Sequence, residues 1–351
     1  MGYGEEQKQR REPVRTGRFF GARHGWIVTT VCAVAVLTAA CGSTANATSS
    51  KTGRSHSSVH ASVTVASLPV ADNTPIWLGV KDGIFTRYGL NVKYDILSGG
   101  GPANVSALES GSVQFANFSS PIFMLATEKG INMKSVVQLD YIGRKVSPEG
   151  IFVLAGGPIK TLAELKGATF GVNSTTSLEE IRMVTEVLPS LHLTASDVKF
   201  VPIPWPQEKE ALLTHEVDAV VPFDPYTTDL IQTPGVRELS GLRRFAPASG
   251  LSLGLLSTSA SYASAHPAIV KAFQQAMAVA IDYTMSHPKQ AAAVAAKVLK
   301  LPASLSLTTL GHVEFSANGA QRIHSYDNME TAMKAAGLLP SSYDVSNYIL
   351  K

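Results

Sequence analysis

The stretch from Ser98-Gly99-Gly100-Gly101-Pro102 to Phe118-Ser119-Ser120-Pro121 restricts the possible folds more than any other part of the chain. It reads as a strand (91–97), a small-residue turn, and a proline-started helix (103–110) stopped by Gly111. The same succession follows at once, with a strand at 113–117 and Ser119-Ser120-Pro121 opening the next helix. It also comes before, as a strand at 59–68, the turn Asp72-Asn73-Thr74-Pro75, and a helix at 76–87. That helix carries Ile76, Val80 and Ile84 on one face and ends at Gly89. Proline suits the first helical turn, where its missing N–H would be unpaired anyway. Asn73 or Thr74 suits the cap before it. Three consecutive βα units predict a parallel sheet with right-handed crossovers. Turns at the carboxyl ends of such strands form the crevice where open α/β sheets bind ligands. Free N–H groups at helix starts, with glycine backbone that a ligand can approach closely, suit a polar acceptor or an anion.

The middle of the chain repeats this logic. Strands are expected at 136–140 and 150–155, and Gly156-Gly157-Pro158 breaks the pattern. Thr161-Leu162-Ala163-Glu164 reads as a capping box. A strand at 168–172 runs into the polar turn Asn173-Ser174-Thr175-Thr176-Ser177 and a helix at 178–188. A strand at 198–203, a helix at 206–215 and a strand at 217–222 follow, ending in Phe223-Asp224-Pro225-Tyr226. Residues 107–116 and 211–220 both read as helix end, tight turn and buried strand, and a proline turn follows each. Two similar lobes with opposed strand ends would produce this. An apolar strand at 251–258 returns the chain to the first lobe. A long helix at 267–286 has Ile269, Phe273, Met277, Ile281 and Met285 as its expected buried stripe. Helices at 288–299 and 326–336 complete the chain, the last closed by Gly337.

The N-terminus has a different character. Lys8, Arg10, Arg11, Arg15, Arg18 and Arg23 precede a continuous apolar run at 26–40 and then Cys41. A basic start, a short apolar core and small residues before a cut site read as a signal peptide. The small residues before Cys41 resemble a bacterial lipobox, with Thr38 where leucine is usual. The expected arrangement is a lipoprotein-type signal at 1–40, lipidation of Cys41, and a flexible Ser/Thr/Ala tether at 41–58. Beyond residue 40, 24 basic residues balance 24 acidic ones. No Lys/Arg cluster stands out there, which argues against a nucleic-acid partner. Both cysteines, Cys32 and Cys41, lie in the leader region. The body therefore has no disulfide, no thiol nucleophile and no Cys-ligated metal. Its histidines lack metal-ligand spacing. Neither a metal nor a cofactor is expected.

The body resembles the periplasmic-type solute-binding proteins of ABC importers, in the group that binds aliphatic sulfonates, taurine, nitrate and the pyrimidine precursor of thiamine. The resemblance rests on residues 75–92 (PIWLGVKDGIFTRYGLNV), 99–118, 161–172 (TLAELKGATFGV), 217–226 (VDAVVPFDPY) and 266–287. His215 departs from the glycine usual at the second helix–strand turn. The resemblance implies a two-lobed α/β fold of periplasmic-binding-protein type II. Each lobe would hold a mixed, mainly parallel sheet flanked by helices, and two hinge segments would join the lobes. Domain I would comprise 59–155 and 251–351, and domain II 158–250. The implied ligand contacts are Asn73, Thr74, Ser98, Gly100, Gly101, Phe118, Ser119, Ser120, Asn173, Thr175, Thr176, Phe223, Asp224 and Tyr226. The implied partners are a small-molecule ligand and the permease and ATPase subunits of the importer. The protein would work as a monomer held at the outer face of the cell membrane by its lipid.

This implied rim has N–H and hydroxyl donors but no Lys or Arg. It also holds Asp224 and aromatic rings, so the expected ligand leans toward an aminopyrimidine-like heterocycle or an aminosulfonate such as taurine. Nitrate or a plain alkanesulfonate is the alternative. An enzyme on the same fold would need chemistry that the cysteine-free body lacks. A non-transport accessory binding protein remains a further alternative.

Overall fold

The computed structural model describes residues 59–97, 99–143, 148–247 and 250–350. The expected signal peptide, the tether, Cys41 and Ser98 lie outside the described residues. In chain order the strands are β1 (Ala61–Ser67), β2 (Leu90–Ile96), β3 (Phe115–Ser119), β4 (Met133–Gln138), β5 (Tyr141–Ile142) and β6 (Gly150–Leu154). There follow β7 (Thr169–Val172), β8 (Lys199–Pro202), β9 (Ala219–Val220), β10 (Val236–Gly241), β11 (Leu251–Ser252) and β12 (Gly254–Ser259). They form two five-stranded sheets, β2-β1-β3-β12-β4 and β10-β6-β9-β7-β8, and a small ribbon, β11-β5.

The two sheets follow one plan. In the first lobe β1 pairs in parallel with β2 and β3, and β12 inserts antiparallel between β3 and β4. In the second β7 pairs in parallel with β8 and β9, and β6 inserts antiparallel between β9 and β10. The similarity between 107–116 and 211–220 reaches individual hydrogen bonds. Gln114 N–H donates to the Thr64 carbonyl at 3.0 Å, and the Gln114 side chain accepts the Thr64 N–H at 2.9 Å. Asp218 does the same with Thr169, at 2.9 and 2.8 Å. Each lobe therefore receives its inserted strand from the other. The two connections that carry these strands run side by side, with Leu251 opposite Ile142 and Ser252 opposite Tyr141.

Each lobe has its own core. Phe115 of β3 stacks on Phe273 of the long helix Pro267–Ser286, ring centres 3.8 Å apart. In the second lobe Phe170, Leu165, Met183 and Leu188 are buried together. The long helix has the expected limits, but its buried stripe differs. Phe273, Met277 and Ile281 are buried, whereas Ile269 is only half-buried and Met285 is exposed. A step of four residues overshoots a full turn by about 40°, so a strict i+4 series drifts off the buried face. Val270 and Thr284, three residues from the central members, take the inner positions instead.

Three further elements differ from expectation. The helix expected at 76–87 is α1 (Thr74–Lys81) followed by a 3₁₀ turn, Phe85–Tyr88; Gly83, at φ +64°, separates them. The helix expected at 178–188 runs as Leu178–Arg182, a π turn Met183–Val187, and Leu188–Ser190; Pro189 has no N–H to continue the α pattern. The single strand expected at 251–258 is two, because β11 belongs to the hinge ribbon and β12 to the first sheet.

His215 and Gly111 occupy equivalent turns, and both are left-handed, at φ +61° and +74°. The histidine carries a conformational cost of about 1 kcal/mol that glycine does not. A thermal melt of His215→Gly should therefore show Tm raised by about 2 °C. Gly111→Ala, whose added methyl would meet nothing within 4 Å, should lower it by a similar amount.

Candidate functional site

The carboxyl ends of β1, β3 and β7 and the start of β12 surround one cavity between the lobes. The first lobe contributes Leu68, Val70 and Asp72 after β1, Asn117, Phe118 and Ser119 of β3, and Gly101 and Ile122 from two helices. These helices, α2 (Gly100–Glu109) and α3 (Ser120–Glu128), both begin at the cavity. The second lobe contributes Asn173, Ser177, Leu178, Glu179, Trp205 and Phe223, and the hinge side Leu253 and Gly254. The space left for the centres of water molecules is about 30 Å³. The lobes are thus closed on each other, and one apolar cluster containing Phe118, Ile122, Leu178, Trp205, Phe223 and Leu253 runs across their junction.

Against this apolar background the wall is acidic. Asp72 is buried and accepts an N–H of Asn73 at 2.8 Å. Burial pushes its carboxyl up to about 6, against that hydrogen bond. Asp140, also buried, accepts the Gly254 N–H at 2.7 Å. Burial first, and the nearby Asp72 second, hold it well above the usual carboxylate range. Gly254 keeps these two carboxyls close: a Cβ there would lie 2.3 Å from Asp72 Oδ2 and 2.6 Å from Asp140 Oδ1. On the opposite lobe, burial and then the charge of Glu149 push Glu179 up to about 8. Its Oε1 accepts the Trp205 indole N–H at 3.2 Å. Glu208, fully buried and close enough to Tyr226 and Glu179 to interact with both, is raised by burial and then by Glu179. Among the described residues lining the cavity there is no Lys, Arg or His. The buried Arg182 is spent on Glu149, Glu186 and the Leu242 carbonyl.

Of the residues expected at the site, Gly101, Phe118, Ser119, Asn173 and Phe223 line this cavity. Gly100 stands at its rim with φ +65°, where a Cβ would come within 2.9 Å of Asn173 Nδ2 of the other lobe. Tyr226 lies one ring back, stacked on Trp205 at 6.3 Å. The others are turned elsewhere. Asn73 is consumed by Asp72, Asn117 and Ser67, so it positions two lining residues without reaching the cavity itself. Thr74 donates its hydroxyl to the Ala71 carbonyl, as a helix-start residue does. Ser120 donates to Ser252 in the hinge ribbon. Thr175 and Thr176 are exposed, the latter at φ +60°, because the turn folds them outward against Glu180.

Asp224 is the largest departure. It is fully buried, but its carboxylate accepts Thr228 on one oxygen and pairs with His312 Nδ1 at 2.6 Å on the other. His312 ends the helix Ala303–His312, which packs through Leu310 into the first lobe's core. Asp224 therefore ties the lobes together, helped by the Ala71 N–H bonded to its carbonyl at 3.2 Å. Glu179, Asp140 and Gly254 were not legible as site residues. Glu179 reads as an ordinary acid in a first helical turn, and Asp140 and Gly254 meet only once the two hinge segments lie together.

The raised acids give a pH dependence of defined sign. A carboxyl raised in the folded state costs stability progressively as pH climbs from its unfolded value to its folded one. For Glu179 that window runs from 4.5 to about 8. His312, raised by Asp224, adds in the same direction, since its stabilising charge is lost as pH rises. Ligand-free protein should melt at a lower temperature at pH 8 than at pH 5.5, and Glu179→Gln should flatten that slope.

Comparison with solved structures gives the same fold at low identity. The aliphatic sulphonate-binding protein SsuA of Escherichia coli superposes with TM-score 0.66 and 19% identity, over 83% of this chain and 92% of that one. The alkanesulfonate-binding SsuA of Xanthomonas axonopodis pv. citri, bound to MOPS, gives 0.70 and 19%, over 83% and 99%. The nitrate-binding protein NrtA of Synechocystis PCC 6803 gives 0.68 and 13%, over 83% and 86%. No curated protein matches the chain in sequence. The family model described as NMT1/THI5 like matches residues 70–291, more than half of the chain, and the protein belongs to that family.

Proposed function

We propose that the protein is the extracytoplasmic solute-binding lipoprotein of an ABC importer, closing its two lobes on a small solute and handing it to a permease. The fold likeness to sulfonate- and nitrate-binding proteins, the family and the leader that ends at Cys41 support this reading. The proposed domains are 59–155 with 251–351, and 158–250. The likeness to sulfonate- and nitrate-binding proteins supports a binder and not an enzyme.

The observation that bears most on the ligand is the acidic wall. Asp72 and Glu179 line the closed site, Asp140 is bonded to the lining residue Gly254, and no cation is among the described lining residues. An oxyanion would be repelled by whichever of these carboxyls is ionised, and would itself push their protons on further, because charge interactions are strong where water is excluded. A planar heterocycle with amino N–H groups suits it. A carboxyl accepts the amino hydrogen on one oxygen and shares a proton with a ring nitrogen on the other, which makes two parallel hydrogen bonds. Phe118 and Phe223 supply ring faces. An aminosulfonate such as taurine is the second reading. Its amine would face the acids, and its sulfonate the start of α3, where the buried Ser119 hydroxyl has no partner among the described residues.

Mass spectrometry of the small molecule released from purified protein tests the class directly; an amino-heterocycle or an amine is expected. In calorimetry, 4-aminopyrimidine should bind and nitrate and methanesulfonate should not. Asp72→Asn and Glu179→Gln should each weaken that binding by about tenfold or more. Tight binding of nitrate alone would reject the proposed ligand. Cys41→Ser should release the protein from the membrane fraction.

A further inference from the structure

We propose that the indole of Trp205 occupies the place of the solute in the closed site, and that binding displaces it. This rests on the N–H-donor class of ligand proposed above. The cavity leaves about 30 Å³ for water centres. Trp205 is one of the residues that wall this small space. What already lies against Glu179 is a planar heterocycle with one N–H. Trp205 Nε1 donates to Glu179 Oε1 at 3.2 Å. Its ring stacks on Tyr226 at 6.3 Å with 15° between planes, and tilts against Phe223 at 6.4 Å. These are the contacts that an amino-heterocycle would make.

The ring also has somewhere to go. Trp205 borders the cavity and two open recesses on either side of it, of about 320 Å³ and 400 Å³ in the same measure. One lies against Lys209 and Leu301, the other against Ile96 and Gly100. Trp205 is the first residue of the helix Trp205–Leu213 and follows Pro204 directly, so a turn of its side chain about its own bonds would leave the rest of the helix in place. Glu208, one turn on, is fully buried, and neither of its carboxyl oxygens has a partner among the described residues. A buried unpartnered carboxyl is costly.

The opposite role, a fixed aromatic wall that adds affinity, predicts the opposite result. Calorimetry with 4-aminopyrimidine on wild type, Trp205→Ala and Trp205→Phe separates the two. Removing a self-occupying ring should tighten binding by about tenfold in Trp205→Ala, because nothing need be displaced. Adding Glu179→Gln should abolish the gain. In the same variant indole should raise Tm, and 1-methylindole, which has no N–H, should not. Trp205→Phe keeps a ring but lacks the hydrogen bond, and should tighten binding less; it carries the test should the alanine variant not fold. Weaker or unchanged 4-aminopyrimidine binding in both variants overturns the proposal. Binding of indole by Trp205→Ala without 4-aminopyrimidine binding by any form supports self-occupancy and overturns the solute class instead.

Discussion

The structure depends on two short antiparallel segments lying side by side. β5 and β11 pair over two residues each, yet each leads into a strand buried in the lobe the chain is entering. Because β6 and β12 sit second from the edge of their sheets, neither lobe completes its hydrogen bonding until the chain has crossed. The crossings are thus fixed at both ends and slender in the middle. Their few ribbon bonds leave relative motion of the lobes as the soft coordinate, in keeping with hinge closure on a ligand.

The same crossings account for the chemistry. Asp140 leaves the first connection and Gly254 enters from the second, and only their adjacency places a carboxyl beside Asp72. Carboxyls buried among Phe118, Phe223 and Leu253 are destabilising on their own. Their retention is intelligible when the site's other occupant supplies the missing donors. The closed cavity is therefore held by packing against an electrostatic cost.

How far this was legible in the sequence varies with the physics of each element. Proline-started helices, glycine stops and the repeated helix–turn–strand unit depend on neighbours along the chain, so the lobes and their shared plan could be read. His215 stood out as a departure, and its left-handed backbone explains why glycine is the easier residue there. The turns at Gly101, Phe118–Ser119 and Asn173 could be located, but not where every side chain in them points. Asn73, Thr74 and Thr176 satisfy local backbone or neighbouring groups, as small polar residues do at helix starts. Asp224 could not be assigned, because its partner His312 is 88 residues away.

That last contact has a consequence for the cycle of the receptor. The bond between Asp224 and His312 joins the lobes without passing through the solute cavity. Part of the free energy of closing is therefore available to the empty protein, and affinity for solute measures only the remainder. On the proposed role at a permease, a closed copy without solute would present an outer shape like that of a filled one. On that role, a contact of this kind would let unloaded copies compete for the transporter.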